Sequence, residues 1–138
     1  MISHTHLIAR AEIRVPPQSV SEVKNSLCEL VDMIDMKLLG RYNQPEEDYR
    51  NPIASYCEEP GNEGMTAVAL IETSHIILHV WDHIKPAVIE FDLYTCAPLD
   101  LDKVWLWFDR FEPTSINWEL KDRATKIKTI GKGTMAFS

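Results

Sequence analysis

The chain has 138 residues, of which 45% are hydrophobic and 25% are charged, and its formal net charge at pH 7 is -7. This length and composition are typical of one globular domain with a single core. The negative charge and the scattered basic residues argue against a nucleic-acid partner, because phosphate contacts need clustered Lys and Arg. No apolar run approaches the roughly 20 residues of a membrane helix, and the first residues show no secretory pattern. We therefore expect a cytoplasmic protein whose partners are small molecules or proteins, without nucleic acid or membrane.

The first part of the chain predicts a strand and then a helix. Apolar residues occupy the odd positions of residues 7–15, which is the period of a half-exposed strand, and a Pro-Pro pair ends it. Ser19 and Glu22 form the pattern of a capping box, and the apolar residues after them recur at helical spacing as far as Ile34. We therefore expect a helix of about four to five turns after the first strand.

The middle of the chain predicts a long connection followed by three paired segments. Residues 40–64 are rich in Asn, Pro, Glu and Gly, and the segment exceeds the ~12–15 residues of an ordinary unstructured connection. We expect a functional or disordered loop there. Residues 65–81 predict a hairpin with Thr73 and Ser74 at its turn, and residues 87–95 predict a third strand. These segments are expected to form the centre of the sheet.

The last part of the chain predicts a second helix and a final strand. Asp100 is placed to cap that helix, and residues 116–120 alternate as a strand, whereas residues 129–138 have the composition of a frayed tail. The apolar stripe expected for the second helix consists of Leu101, Val104, Trp105, Phe108 and Phe111. This order of elements predicts an α+β two-layer sandwich, with a largely antiparallel sheet and two helices on one face.

The two faces of the central hairpin differ in chemistry. If Glu72 pairs with His75 across the turn, alternation collects apolar side chains on the face that meets the helices. Those side chains are Ala67, Ala69, Ile71, Ile76, Leu78 and Val80. The other face then carries Thr66 diagonal to His79, and alternation on the next strand places Cys96 on the same side. A polar sheet face is usually only solvated, but this collection of reactive groups favours a functional site.

Two other kinds of site fit these residues less well. His4 with His6, and His75 with His79, each place two imidazoles on one side of a strand. Spacing supplies no third ligand for either pair, so we expect no metal. A serine hydrolase requires its nucleophile on a glycine-flanked elbow between a strand and a helix, and Ser74 lacks glycine neighbours and precedes a strand.

The sequence SHIILHVW at residues 74–81, followed by DLYTC at residues 92–96, resembles the bacterial and archaeal S-adenosylmethionine decarboxylase proenzymes. In that family the pattern runs Glu-Ser-His-x-x-x-His-x-Trp and then Asp-x-Phe-Thr-Cys. Weaker matches occur at residues 6–8, 64–67 and 111–113. The resemblance covers most of the chain in order, and it implies a single domain over residues 1–138.

The resemblance implies that the chain cuts itself between Thr73 and Ser74. The Ser74 hydroxyl attacks the preceding carbonyl, the amide becomes an ester, and β-elimination leaves a pyruvoyl group, the cofactor, in place of the serine. Thr66 then stabilises the oxyanion and His79 removes the Cα proton. The implied activity is the pyruvoyl-dependent decarboxylation of S-adenosylmethionine for polyamine synthesis, with Cys96 as the proton donor.

The chain departs from the family pattern near the predicted cleavage bond and near the predicted substrate site. Thr73 stands where the family has Glu, and Asp82 follows Trp81 where the family has Pro-Glu, whose carboxylate recognises the ribose. We expect Asp82 and Trp81 to bind substrate, with Tyr56 in the place of an aromatic residue that stacks on adenine.

Two alternative functions stay open, and so does the assembly. The first alternative is a pyruvoyl-dependent decarboxylase for a basic amino acid such as arginine or ornithine, and the second is a non-processing homologue that binds a ligand or a partner. The resemblance implies a homodimer. Leu106 and Trp107 lie off the expected helix stripe and are candidates for subunit contacts.

Overall fold

The computed structural model describes residues 3–40 and 51–138. The strands are β1 (Thr5–Ile13), β2 (Ile53–Cys57), β3 (Gly64–Ile71), β4 (Ser74–Trp81), β5 (Ala87–Thr95), β6 (Pro113–Asp122) and β7 (Lys128–Ala136). The helices are α1 (Val20–Met33) and α2 (Leu101–Phe108), and a 3-10 turn (Asp109–Phe111) continues α2. No helix in this part of the chain is long and apolar enough to cross a membrane.

The strands form a sheet in the order β2-β3-β4-β5-β1-β6-β7, and each neighbouring pair is antiparallel. Buried side chains from α1 and α2 join those of one sheet face in a common core. The predicted α+β class, with an antiparallel sheet and two helices on one face, is confirmed. The other face, called the open face below, carries His6, Ile8, Thr66, Leu70, His75, Ile77, His79, Glu90, Asp92 and Tyr94.

Helix α1 begins at the residue that its sequence predicts. The Ser19 side chain accepts a hydrogen bond of 3.0 Å from the Glu22 backbone N–H, and the Glu22 carboxylate accepts one of 2.7 Å from the Gln18 backbone N–H. Such a cap stabilises a helix by about 1 kcal/mol. Its buried apolar residues are Val23, Leu27, Leu30 and Val31. The capping box and the helical spacing therefore specify both the start and the buried side of α1.

The apolar stripe of α2 differs from the predicted one. Asp100 does cap the helix, accepting a hydrogen bond of 3.0 Å from the Asp102 backbone N–H. Trp107 is fully buried, and its indole N–H donates to the Ser26 carbonyl over 2.7 Å, so the prediction of a subunit contact at Trp107 is wrong. The buried stripe is Val104, Trp107, Phe108 and Phe111, which has the spacing i, i+3, i+4, i+7. Leu106 is exposed.

The register of the β3–β4 hairpin also differs from the prediction. Ile71 pairs with Ser74, so the turn consists of Glu72 and Thr73, and Ser74 is the first residue of β4. The expected pairing of Glu72 with His75 is wrong, because Leu70 occupies that place. A displacement of two residues keeps every side chain on its face, so the predicted core side of the hairpin is confirmed.

Part of the predicted loop at residues 40–64 is a strand. Residues 41–50 lie outside the described residues, but β2 pairs with β3 at the edge of the sheet. The Asn51 side chain stabilises the start of this pairing. Its amide N–H groups donate to the carbonyls of Leu39 and Leu70, and its amide oxygen accepts from the Leu70 backbone N–H over 2.9 Å. An edge strand buries little, so β2 lacks the apolar alternation that reveals a strand in sequence.

The predicted frayed tail is strand β7, which pairs with β6 along its length. The glycines of β7 face Trp118 on β6, whose ring covers Gly131 and Gly133. A Cβ atom at Gly131 would lie 3.2 Å from Trp118 Cζ3, so the glycines leave room for the indole. Trp118 in turn packs on Trp105 of α2, with ring centroids 5.8 Å apart. Glycines that look like breakers in sequence thus serve close packing here.

Candidate active site

Ser74 and Cys96 meet at the turn of the β3–β4 hairpin. Ser74 is only 8% exposed, and its Oγ accepts a hydrogen bond of 3.1 Å from the Cys96 backbone N–H. The same Oγ lies 3.7 Å from Cys96 Sγ. Cys96 follows the last residue of β5, so its thiol reaches the turn, whereas alternation had placed it on the face with the histidines. The predicted cofactor precursor and the predicted proton donor are therefore in contact.

Thr73, the residue before the predicted cleavage bond, has a strained backbone. Its φ is 52°, in the left-handed region, where a β-branched side chain crowds the backbone. Such a conformation costs about 1–2 kcal/mol per residue. The Thr73 hydroxyl lies 2.8 Å from Cys96 Sγ and 2.8 Å from the Glu72 carbonyl oxygen. Thr73 therefore combines backbone strain with direct contact to the thiol.

The turn also alters the acidity of the thiol. Hydrogen bonds from the hydroxyls of Thr73 and Ser74 lower the pKa of Cys96, and they outweigh the opposing effect of burial. A lower pKa increases the fraction of thiolate near neutral pH. The Thr73 contribution is one that the sequence motif does not specify, because the family places Glu at that position.

Thr66 and His79 form a second pair on the open face. They lie directly opposite each other on β3 and β4, and Thr66 Oγ1 is 2.9 Å from His79 Nδ1. The pair lines a pocket of about 280 Å³ together with Trp81, whose indole N–H donates to Asn62 Oδ1 over 2.9 Å. Gly64 permits the close approach of the strands there, since an added Cβ would lie 1.9 Å from the Val80 carbonyl oxygen.

Within one chain, the Ser74-Cys96 pair and the Thr66-His79 pair are far from each other. His79 follows Ser74 by five residues on β4, which corresponds to about 16 Å along a strand. The odd number also places the two side chains on opposite faces of the sheet. Thr66 and His79 therefore lie too far from Ser74 of the same chain for the hydrogen bonds and proton transfer expected of them.

The three predicted substrate-binding residues do not form one group. Tyr56 OH lies 2.6 Å from His83 Nε2, beyond the end of β4 and far from Ser74. Asp82 is next to this pair, 3.6 Å from His83 Nε2, and its Oδ1 is buried without a hydrogen-bond partner in the described part of the chain. Partial burial, followed by the carboxylate charge of Asp82, raises the pKa of Tyr56. Trp81 instead lies beside Thr66 and His79, and Tyr56 shares its face with the core because it pairs with Met65.

A third group on the open face was not predicted from the sequence. Asp92 Oδ1 lies 2.9 Å from His6 Nε2 and 3.0 Å from His75 Nε2. Of the histidine pairs considered from sequence spacing, His4 contacts Tyr94 and His79 contacts Thr66, so only one member of each pair contacts Asp92. Alternation along β5 already put Asp92 on this face, but the pairing of β5 with both β1 and β4 was needed to bring the three together.

The fold and these contacts define an α+β sandwich with a Ser-Cys pair at a hairpin turn. The sequence model of a family described as S-adenosylmethionine decarboxylase matches residues 18–124, which is more than half of the chain. The chain therefore belongs to the S-adenosylmethionine decarboxylase family, which is known for pyruvoyl-dependent decarboxylation. The matched range includes Ser74, Cys96, Thr66 and His79. No curated protein matches the chain significantly.

Proposed function

We propose that the protein cuts itself between Thr73 and Ser74 and then decarboxylates S-adenosylmethionine for polyamine synthesis. The observation that carries this proposal is the contact of Ser74 Oγ with the backbone N–H and the thiol of Cys96, at 3.1 and 3.7 Å, beside a strained turn. The family match supports the same chemistry. Both the precursor of the cofactor and the expected proton donor thus belong to one compact group.

Self-processing needs no external reagent except water. Ser74 Oγ attacks the Thr73 carbonyl carbon, the C–N bond breaks, and the proton of the hydroxyl moves to the Ser74 nitrogen. Removal of the Ser74 Cα proton then breaks the Cβ–O bond and releases Thr73 as a carboxylate. Water replaces the nitrogen of the resulting dehydroalanine as ammonia, which leaves a pyruvoyl group at the start of β4.

The strain at Thr73 supports processing despite the loss of the family's Glu. The left-handed conformation raises the free energy of the intact turn by about 1–2 kcal/mol. Cleavage releases this strain because the turn then ends in a free carboxylate. The Thr73 hydroxyl contacts Cys96 Sγ, so the substituted residue also acts directly on the site.

The pyruvoyl group supplies a ketone that takes up the substrate amine and accepts the electrons released on decarboxylation. The structure fits this group, since the Cys96 backbone N–H already donates toward position 74 and the thiol lies beside it. Cys96 then returns a proton to the substrate carbon.

We further propose a homodimer, in which the second copy supplies Thr66 and His79 to Ser74. This arrangement removes the separation of about 16 Å within one chain. Exposed apolar side chains on the open face favour its burial: Ile8 is 39% exposed, Leu70 49% and Ile53 51%. Each copy contributes one domain, residues 1–138.

A basic amino acid is the second candidate substrate, because carboxylates share a pocket with His79. Glu90 is paired with His79 across β4 and β5, and both line a pocket of about 330 Å³ that also includes Asp92. The Asp82 carboxylate, whose Oδ1 makes no hydrogen bond in the described part of the chain, adds another acceptor just after β4. These groups suit a cationic side chain such as that of arginine or ornithine.

Release of carbon dioxide from carboxyl-labelled compounds tests the proposed activity. Processed protein is expected to release label from S-adenosylmethionine, and Ser74→Ala is expected to release none. Release from arginine or ornithine alone would establish the second candidate. If processed protein releases label from none of the three compounds, the proposed activity is wrong.

A further inference from the structure

We propose that His6, His75 and Asp92 bind a divalent transition-metal ion of the zinc type on the open face. The three residues come from the adjacent strands β1, β4 and β5. Two imidazoles and one carboxylate are the donor set that zinc and its first-row neighbours prefer, whereas magnesium and calcium favour oxygen donors. This site is separate from the Ser74-Cys96 pair and does not depend on the proposed function.

The three donor atoms already converge. His6 Nε2 and His75 Nε2 lie 2.9 and 3.0 Å from the same carboxylate oxygen, Asp92 Oδ1, and all three atoms lie within 4.8 Å of one another. In a tetrahedral zinc site with bonds of about 2.0–2.1 Å, ligand atoms stand about 3.3–3.4 Å apart. An ion therefore needs small rotations of the side chains and no movement of the backbone.

Tyr94 holds the two imidazoles in place. It pairs with His6 on one side and with His75 on the other, and its ring centroid lies 6.1 Å and 5.8 Å from theirs. The tyrosine is fixed in turn, because its hydroxyl lies 2.6 Å from His4 Nδ1. The ligands are thus oriented by packing before an ion arrives, which reduces the entropy lost on binding.

Within a single chain the site keeps one side accessible. The side chain of His6 is 15% exposed, that of His75 34% and that of Asp92 38%. Three protein ligands leave a fourth tetrahedral position for water or another donor. An ion here would also fasten β1 to β4 through His75, the residue directly after Ser74.

Arg123 opposes ion binding, and this makes a specific test possible. Asp92 can only accept and Arg123 can only donate, so the Arg123 Nη1 contact of 3.3 Å with His6 Nδ1 fixes the proton of a neutral His6 ring on Nε2. A metal needs that Nε2 lone pair, so the proton must move to Nδ1, where the guanidinium stands. The guanidinium also lies over the Tyr94 ring, 5.0 Å from its centroid, so Arg123 is held beside His6 and weakens the site.

Metal titration of the full-length Ser74→Ala chain tests the proposal independently of processing. After treatment with a chelator, Co²⁺ binding is followed by its visible absorption and Zn²⁺ binding by calorimetry. We expect one ion per chain with a dissociation constant below about 10 μM. His75→Gln and Asp92→Asn should each weaken binding about tenfold or more. His79→Gln is the matched control, because it removes an imidazole from the same face, and it should leave binding unchanged.

The variant Arg123→Met should tighten binding several-fold, because it removes the opposing charge and frees His6 Nδ1 to donate. Circular dichroism and a thermal melt establish that each variant is folded. The proposal is overturned if neither the folded Ser74→Ala protein nor its Arg123→Met derivative binds Co²⁺ or Zn²⁺. It is equally overturned if binding persists unchanged in His75→Gln and Asp92→Asn.

Discussion

Thr73 links the local structure of the turn to the chemistry next to it. Its positive φ places strain at the predicted cleavage bond, and its hydroxyl lies 2.8 Å from Cys96 Sγ. The sequence could show only that Thr73 replaces the family's Glu, which looks unfavourable for processing. The backbone conformation and the contact with the thiol give the same residue a positive role.

Replacing Thr73 with glycine should relieve the strain. In a Ser74→Ala background, which keeps the chain intact, Thr73→Gly is expected to raise the free energy of unfolding by about 1 kcal/mol. Chemical denaturation measures the difference. Thr5→Gly is the control, because Thr5 lies in β1 with an ordinary φ, and it should destabilise the chain instead. A loss of stability in Thr73→Gly as large as that in Thr5→Gly would contradict the strain.

The acidity of Cys96 should depend on the Thr73 hydroxyl. Because hydrogen bonds lower the pKa of this thiol, the rate of alkylation by iodoacetamide should rise with pH at a midpoint below about 8.5, the ordinary value for cysteine. The comparison uses the uncut Ser74→Ala background, in which Thr73→Val keeps the shape and removes the donor, so the midpoint should move upward. Peptide mass mapping separates Cys96 from Cys28 and Cys57. An unchanged midpoint in Thr73→Val would show that the hydroxyl has no effect on the thiol.

At the scale of elements, the sequence patterns predicted the strands and the helix that bury one side in the core. The period of the apolar residues predicted β1, α1, the core side of the β3–β4 hairpin and the span of β5. It missed β2 and β7, which are the two edges of the sheet and bury little. It also missed the pairing of Thr66 with His79, since alternation fixes the face of a strand but not its register. The Ser74-Cys96 contact rested on the family pattern and not on periodicity.

At Gly64 the backbone of β4 leaves no room for a side chain on β3. An added Cβ would lie 1.9 Å from the Val80 carbonyl oxygen, which is backbone and cannot move aside cheaply. Gly64→Ala should therefore lower the free energy of unfolding by about 3 kcal/mol or more. Gly133→Ala is the matched control, because its Cβ would meet only the Trp118 side chain at 3.3 Å, and it should cost about 1 kcal/mol. Denaturation midpoints that rank the two variants in the opposite order would disprove this account of the hairpin.

At the scale of the whole molecule, the distribution of the predicted site residues favours the proposed homodimer. Ser74 and Cys96 lie at the turn, while Thr66 and His79 lie on the open face about 16 Å along β4. The family resemblance implied that His79 acts on Ser74, and it did not say whether the two residues belong to one chain. The separation follows from the length of the strand and from the alternation of side chains. In the proposed homodimer the two pairs meet across the interface between the copies.

Mixed dimers test this division of roles. His79→Gln keeps Ser74 and Cys96, whereas Ser74→Ala keeps Thr66 and His79. Each variant alone should remain uncut, but co-expression should restore cleavage of the His79→Gln chain, visible by gel and by mass. The double variant Ser74→Ala/His79→Gln should give no rescue. Full cleavage of His79→Gln alone would show that His79 is not needed, and an absence of rescue would refute complementation between copies.

The most direct test of the central claim is the intact mass of freshly purified wild-type protein. Self-processing predicts two shorter chains, produced by cleavage between Thr73 and Ser74. The second chain should begin with a carbonyl group that borohydride reduces. Ser74→Ala should retain the mass of the whole sequence. A single wild-type species at the mass of the full 138 residues, unreactive toward borohydride, would contradict self-processing and leave a binding homologue as the function.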